Sequence, residues 1–455
     1  PINNFSIENG KPILRRTPGK WKNKKNHEEN DIVQEHLGED IPLLQVLFDT
    51  DHWLDWTKVF TPHSGHQSKL KDEVHHIVAM VFSYGTGLGP REGSHLIQGF
   101  TDRQLSRTNK KMVTAEKIDK AIGIIGNSYM KLQLPLLWGD GTRFSVDGTL
   151  VNLSQNDPFA QRHIRYGQWG AIAYYHVADN YIAIFSKFIP CGVHEAVHIL
   201  DPLINKLVEV KGNIIHGDTH AQSSAVYGLA FLLGIKLMPR IKNWKDIKLY
   251  KPSPEFVYKN IEDLFTNDLA ECELIERYLH EMIQIAQSIM SGKITPSAIL
   301  RRLGTYSRKN KVFQAFSALG KIIRTSYLLE YLTDLELRQV VHGSTVKSEQ
   351  FNGFTQWIYF AKDYIASVVH DEQVKIIKYN HLIAVILSFW NAWQMTEKIS
   401  KLRSGGYVFA ENELERMSPY RRKHINRFGK ISIDFLNPDP VDYELRVKPD
   451  FSMAL

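Results

Sequence analysis

Between Thr142 and Ile189 the hydrophobic pattern changes period. TRFSVDGTLVNL, GQWGAIAYYHVA and NYIAIFSKFI are β-branched, aromatic and alternating, and Gly, Asp and Asn separate them, which is the signature of strands. Upstream, from Pro42 to Met130, apolar residues recur at helical spacing in PLLQVLFDTDHWLDW, VHHIVAMVFSYGTGLG and TAEKIDKAIGIIGNSYMKL. Gly85 to Gly89 and Thr114 punctuate those helices. A β-rich island between helical stretches restricts the chain to an α/β fold, a mixed sheet flanked by helices.

The order of elements narrows this further. AIAYYHVADNYIAIFSKF reads as a hairpin turning at Asp179-Asn180, followed by a helix (VHEAVHILDPLINKLVEV), a buried strand (GNIIHGD), a helix (AQSSAVYGLAFLLG) and a short strand (IKLMPR). Three antiparallel strands followed by helix, strand, helix and strand is the order of a ribonuclease-H-like (RNase H-like) core, in which the first and fourth strands lie side by side. After Arg240 the strands stop: Phe256 to Gln339 reads as helical and charged, with a basic segment, RRLGTYSRKNKVFQAF. VKSEQF then opens a helix, so the core is interrupted by a helical insertion. The expected divisions are a basic arm over 1–41, a helical scaffold over 42–136, the first part of the core over 137–241 and the insertion over 242–340. The rest of the core follows over 341–370, and a helical C-terminal region over 371–455. The arm's KPILRRTPGKWKNKK reads as a loop, Val374 to Ser400 as a last long helix, and RMSPYRRKHINRFG belongs to a polar tail.

Two predicted strands run into aspartates, FSVDG into Asp147 and NIIHGD into Asp218, and the late helix carries Glu349. Three carboxylates delivered this way suit a divalent-metal phosphoryl-transfer site, because Mg²⁺ prefers hard oxygen ligands and keeps positions open for water and phosphate oxygens. Aspartate before Gly or Thr is also a common turn former, and Asp140 in WGDG rivals Asp147. Glu349 follows Glu330, Asp334 and Glu336, so spacing alone does not single it out. HEAVH fits the HExxH zinc-hydrolase pattern with His194, Glu195 and His198, but no third-ligand continuation follows, and ordinary surface histidines are the plainer reading. His216 and His220 flank Asp218 and face the groove, with metal or phosphate contact as the functional alternative.

Net charge is +7 and the pI about 9.0, a balance that favours polyanionic partners. Candidate phosphate contacts are Arg240 and Lys242 after the core strand, and Arg301, Arg302, Arg308, Lys309 and Lys311 around Tyr306, a solvated helix face being the alternative. Trp390 and Trp393 read as core. The chain of 455 residues exceeds one ordinary core, so two to four domains are expected. Only Cys191 and Cys272 occur, which excludes a disulfide framework and fits a reducing cytosol. The longest apolar run, Leu382 to Trp393, is too short to span a bilayer. No signal peptide is visible, and a start at Pro1 fits a fragment or a processed product.

WGDGTRFSVDG, LLGIKLMPRIKNWKDIKLY, RRLGTYSRKN and YNHLIAVILSFWNAW…MSPYRRKHIN resemble, in order, the C-terminal catalytic half of Tn3-family transposases, from about Pro42 to about Phe428. The resemblance implies a DDE-type enzyme that cuts DNA at transposon ends and joins it to target DNA in replicative transposition. By motif, the carboxylates fall on Asp147, Asp218 and Glu349. They would hold two Mg²⁺ ions, with Mn²⁺ as a substitute, one carboxylate bridging and the others flanking. It further implies a homodimer on DNA and a cytoplasmic, nucleoid-associated bacterial protein. Arg143-Phe144-Ser145-Val146 departs from the usual serine-rich stretch before the first aspartate, and Gly-Asp-Thr-His-Ala from the usual surroundings of the second. Family members carry DNA-end-binding domains ahead of this region, with no counterpart expected here. A catalytically idle DNA-binding or assembly remnant is therefore the second reading, and a zinc peptidase the third.

Overall fold

The computed structural model describes residues 5–8, 11–14, 33, 40–66, 70–163, 167–191, 195–203, 208–209, 212–217, 223–241, 244, 247–305, 309–409 and 411–428. Among the described residues, the helices α1 (Leu43–Leu54), α2 (Glu73–Gly85), α3 (Gly89–Leu96), α4 (Asp102–Met112) and α5 (Ala115–Tyr129) precede the sheet. The expected punctuation holds. Helix α2 stops at Gly85, Gly87 takes a φ of +84° that any larger residue would resist, and the Thr114 hydroxyl accepts from the Lys117 N–H to cap α5.

The main sheet contains β1 (Arg143–Leu153), β2 (Trp169–Ala178), β3 (Ala183–Pro190), β4 (Ile214–His216) and β5 (Lys236–Leu237). Strand β1 is antiparallel to β2 and β2 to β3, while β1–β4 and β4–β5 are parallel pairs. The spatial order β3-β2-β1-β4-β5 puts the first and fourth strands side by side. Strand β4 accompanies β1 only from Arg143 to Ser145, so Asp147 lies inside its own strand, just past the end of its neighbour's. The strand runs on to Leu153, as the alternation in TRFSVDGTLVNL predicts, so the expectation that Asp147 stands at a strand end is corrected.

Helix α6 (Ser224–Leu232) leads into β5, and the insertion follows. The strands do not stop after Arg240, as the sequence suggested. Strands β6 (Leu249–Lys251) and β7 (Phe265–Leu269) pair in parallel before the helices α7 (Cys272–Met290), α8 (Pro296–Gly304) and α9 (Lys311–Thr333). The N-terminal stretch is corrected too. Lys11–Leu14 forms a hairpin with Phe5–Glu8, and Phe5, Ile7 and Leu14 lie against the core under the insertion.

Asp334 alone separates α9 from α10 (Leu335–Ile358), and its carboxylate caps α10 by accepting from the Leu337 N–H at 2.9 Å. The glutamate helix thus begins at Leu335, and VKSEQF lies in its middle rather than at its start. Strand β8 (Tyr364–Ile365) pairs with Asn152 and Leu153 of β1, the long α11 (His370–Ser404) and a short helix (Glu411–Glu415) follow, and Ile425–Asn426 pairs in parallel with Ile41–Pro42.

Alternation along β2 divides two cores. Tyr175 packs on Phe351 of α10, ring centroids 5.1 Å apart, in the core shared with α1, α2, α5 and α11. The adjacent Tyr174 points into the second core, with α6 and the insertion. Trp390 stacks on Trp53 at 4.9 Å and Trp393 meets the same ring tilted, at 4.7 Å, as core residues should. Across the second core α6 meets α9 at two glycines. A Cβ on Gly320 would collide with the Ser224 carbonyl oxygen, and one on Gly228 with that of Phe316.

Candidate active site

Helix α10 lies along β1 in register. The Ser145 and Ser348 hydroxyls are hydrogen-bonded at 2.8 Å, the Asn352 amide donates to Asp147 Oδ2 at 2.9 Å, and the Gln356 amide donates to the Thr149 hydroxyl at 2.7 Å. Two residues of strand advance about 6.6 Å and four of helix about 6.0 Å, close enough for three successive matches. Helix and strand therefore run in the same direction, and one face of β1 presents Ser145, Asp147 and Thr149 to one stripe of α10. Glu349 is exposed and lies three residues before Asn352, on the flank of that stripe. This is how a glutamate far along the chain reaches the turn of α10 that binds Asp147.

Asn352 was not singled out from the sequence, although a signal was present: Glu349, Asn352 and Gln356 follow i, i+3, i+7 spacing on one helix face. Asn352 is 8% exposed. Its Oδ1 is buried and has no hydrogen-bond partner among the described residues. Only the NH₂ end of an amide can face an ionised carboxylate, so the contact to Asp147 sets the amide's orientation. On another side of α10, Lys347 Nζ donates to the carbonyls of Trp138, at 2.8 Å, and Asp179, and sits 4.7 Å over the Tyr181 ring. That lysine anchors the helix. The Asp179 carboxyl beside it is pushed up to about 6 by burial, which outweighs the bond it accepts from the Gly141 N–H.

Asp218 lies outside the described residues, as do His194, His220, Lys242, Tyr306 and Arg308. The backbone up to Gly217 is described: Ser145 pairs with His216 in parallel register, and the Arg240 N–H donates to the Gly217 carbonyl at 2.9 Å. Carried one residue on, this register sets Gly217 beside Val146, next to Asp147. His216, expected to face the groove, is fully buried instead. Its Nδ1 donates to the Met238 carbonyl at 2.9 Å, and burial pushes the imidazole down to about 4, so it is neutral at pH 7.

The rival acids have structural roles. Asp140 accepts from the N–H and hydroxyl of Thr142, which hold its carboxyl below the usual range in the turn before β1. Asp334 caps α10, and Glu336 sits in that helix's first turn, where the helix dipole favours an anion. His198 is not a surface histidine. It is buried, its Nδ1 3.3 Å from Asp201 Oδ2, while Lys187 Nζ donates to that oxygen at 2.6 Å and the Ser297 N–H donates to Oδ1 at 2.9 Å. Burial alone would raise the Asp201 carboxyl, but its bonds to His198 and Lys187 outweigh it and hold the group at about 2. Side-chain bonds and Pro202 also explain why the described residues 195–203 form two short 3₁₀ turns, Glu195–His198 and Asp201–Leu203, where part of an α-helix was expected. Among the described residues no three His, Cys, Asp or Glu side chains gather as a metal group.

Arg240 is half-buried behind Gly217. Arg301 and Arg302 are exposed in the last turn of α8, and Lys309 is exposed across the loop from them. Lys311 Nζ donates to Gln314 instead. Among the described residues no hydrogen bond ties Arg301, Arg302 or Lys309 to β1 or α10. No helix among the described residues is long and apolar enough to cross a membrane.

Residues 45–430 match the Tn3 transposase DDE domain. The transposase for transposon Tn1546 of Enterococcus faecium is 29% identical over 409 residues, covering 88% of this chain and 41% of that protein. The transposase for transposon Tn3926 of Escherichia coli is 26% identical over 395 residues, 86% of this chain and 39% of that protein. For the transposase of transposon gamma-delta from Escherichia coli (strain K12) the identity is 24% over 419 residues, 89% and 41% of the two chains. The chain thus spans about two fifths of the length of these relatives.

Proposed function

The chain belongs to the Tn3 transposase DDE domain family, and from that premise we propose that it cuts and joins DNA strands by phosphoryl transfer in an RNase H-like core. Asp147, Asp218 and Glu349 are the carboxylates of the site. The observation that carries this reading is the register of α10 on β1, which sets the Glu349 turn beside Asp147 across the whole insertion. The donors suit a hard divalent cation: a half-buried carboxylate, an exposed one, and a buried amide oxygen with no partner among the described residues. Two Mg²⁺ ions, or Mn²⁺ in their place, would be held by these residues and supply the Lewis acidity that activates the attacking oxygen and stabilises the leaving one.

The protein's own part is to hold and orient. In the first step a water oxygen attacks phosphorus and the bond to the 3′-oxygen breaks, leaving a 3′-hydroxyl at the transposon end. In the second, that hydroxyl attacks a target phosphodiester, whose own 3′-oxygen leaves. The carboxylates end each step unchanged. Arg240, Lys242, Arg301, Arg302, Arg308 and Lys309 contact phosphates and position both DNAs. The expected partners are transposon ends and target DNA, bound by a homodimer in the bacterial cytoplasm at the nucleoid.

The test supplies pre-cut end duplexes, target DNA and Mg²⁺, and follows nicking and strand transfer. Wild type should act, and Asp147→Ala, Asp218→Ala and Glu349→Ala should not, while all four still bind DNA in Ca²⁺. DNA binding by wild type with no metal-dependent cleavage would replace this reading with the idle, assembly-only one.

A further inference from the structure

We infer that Asn352 is a positioning residue of the site, holding the Asp147 carboxylate for its cation while keeping a second oxygen free beside it. The inference rests on the reading of Asp147 as a metal ligand and deepens it. Three observations support it. Asn352 Nδ2 donates to Asp147 Oδ2 at 2.9 Å. The side chain is 8% exposed, so the bond is sheltered from competing water. Its Oδ1 is buried without a hydrogen-bond partner among the described residues, a state that costs free energy unless a ligand relieves it.

The chemistry explains why an amide stands here. A lysine or arginine would neutralise Asp147 and compete with the cation, and a carboxylate would repel it. A neutral N–H donor occupies one lone pair of Oδ2 and adds no charge of its own, so the attraction between the carboxylate and a cation is kept. Covalent geometry keeps the amide oxygen near the Asp147 carboxylate, where a cation or a cation-bound water can use it. Because Asn352 is one turn from Glu349 on the same helix, the bond also sets the spacing between the strand carboxylate and the helix carboxylate. Partners of this kind, one bond removed from the metal, commonly change metal affinity 10–100-fold when lost.

Gln356 offers an internal control. It makes the next bond along the same helix and strand, to Thr149, without touching Asp147. Mn²⁺ is titrated into the full chain bound to a pre-cut end duplex, with free Mn²⁺ followed by its paramagnetic resonance and the thermal midpoint measured alongside. Asn352→Ala should weaken Mn²⁺ binding about tenfold or more, whereas Gln356→Ala should leave it within about twofold, although each loses one bond of comparable strength. If Asn352→Ala does not fold, Asn352→Ser takes its place, retaining a polar group too short to reach Asp147. Equal effects of the Asn352 and Gln356 variants would reduce Asn352 to a packing residue and overturn the inference. Asp147→Ala separates the two levels: Mn²⁺ binding unchanged in that variant would instead overturn the reading of the site itself.

Discussion

Helix α10 meets the sheet through three side-chain hydrogen bonds, at Ser145, Asp147 and Thr149. On the opposite face, α6 meets the insertion at two positions that have no side chain, Gly228 and Gly320. The first contact is directional and specifies register: a slip of α10 by one residue would break all three bonds and swing Glu349 away from Asp147. The second specifies distance, since two backbones approach as closely as sterics permit and any Cβ is an obstacle. A reactive centre needs its carboxylates aimed, which hydrogen bonds do. An insertion needs only to be docked firmly enough to steer the helix that leaves it, and close packing does that.

The largest expected effect separates the two contacts outright. Asp147→Asn keeps the side chain's size, so the thermal midpoint should stay near wild type while cleavage of a pre-cut end falls by about three orders of magnitude or more. Strand cleavage within tenfold of wild type would show that Asp147 is only a rung of the register. Gly320→Ala should do the reverse, lowering unfolding stability by about 2–3 kcal/mol in urea and releasing α9 from α6. Hydrogen exchange should then rise first in α6 and α9, and a loss spread evenly through the molecule would contradict a local docking role.

Acid should weaken both faces. Burial pushes His176 and His424 down to about 4 and His381 to about 3. Their folded values lie below the unfolded 6.5, so the stability they contribute is present above about pH 6.5 and is lost as pH falls toward 4, each histidine giving up at most about 1.4 kcal/mol for every pH unit crossed. Asp51 and Asp179, pushed up to about 6 chiefly by burial, act in the opposite sense, their contribution being lost as pH rises from about 4 to 6. Denaturation between pH 7 and 4 should show stability falling, with a shallower slope in His381→Asn. An unchanged slope in that variant would remove His381 from the account. The smallest effect belongs to Gln356→Ala, which should cost about 1 kcal/mol and leave strand transfer within about twofold. A loss as large as that of Asn352→Ala would mean that the register acts as one unit.

Much of this architecture was legible in the residues. The change from helical to alternating period located β1, β2 and β3, and Asp179-Asn180 marked the hairpin turn, because side-chain period follows local backbone geometry. Trp390 and Trp393 read as core for the same reason. Elements ruled by tertiary contacts were misread. Strands β6 and β7 are short and need each other to form. Phe5–Leu14 was read as part of a basic arm because the lysines and arginines that follow Leu14 masked a hairpin whose alternate apolar residues dock on the second core. The HEAVHILDPL stretch has a helical pattern, yet Asp201 draws His198, Lys187 and the Ser297 N–H into a bonded cluster that local sequence does not announce.

The site divides along the same line. Sequence by itself determined which residue types were available: aspartates on strands and a glutamate on a helix that resumes after a long insertion. It also placed Glu349, Asn352 and Gln356 on one helical flank, since that depends only on 3.6 residues per turn. The tertiary structure alone decided which strand this flank would meet, and that Asn352 would fall on Asp147 rather than on water. It also decided that His216 would be turned into the core. Those outcomes depend on where α9 leaves its glycine contact and hands the chain through Asp334 to α10, a direction set by packing between segments far apart in sequence.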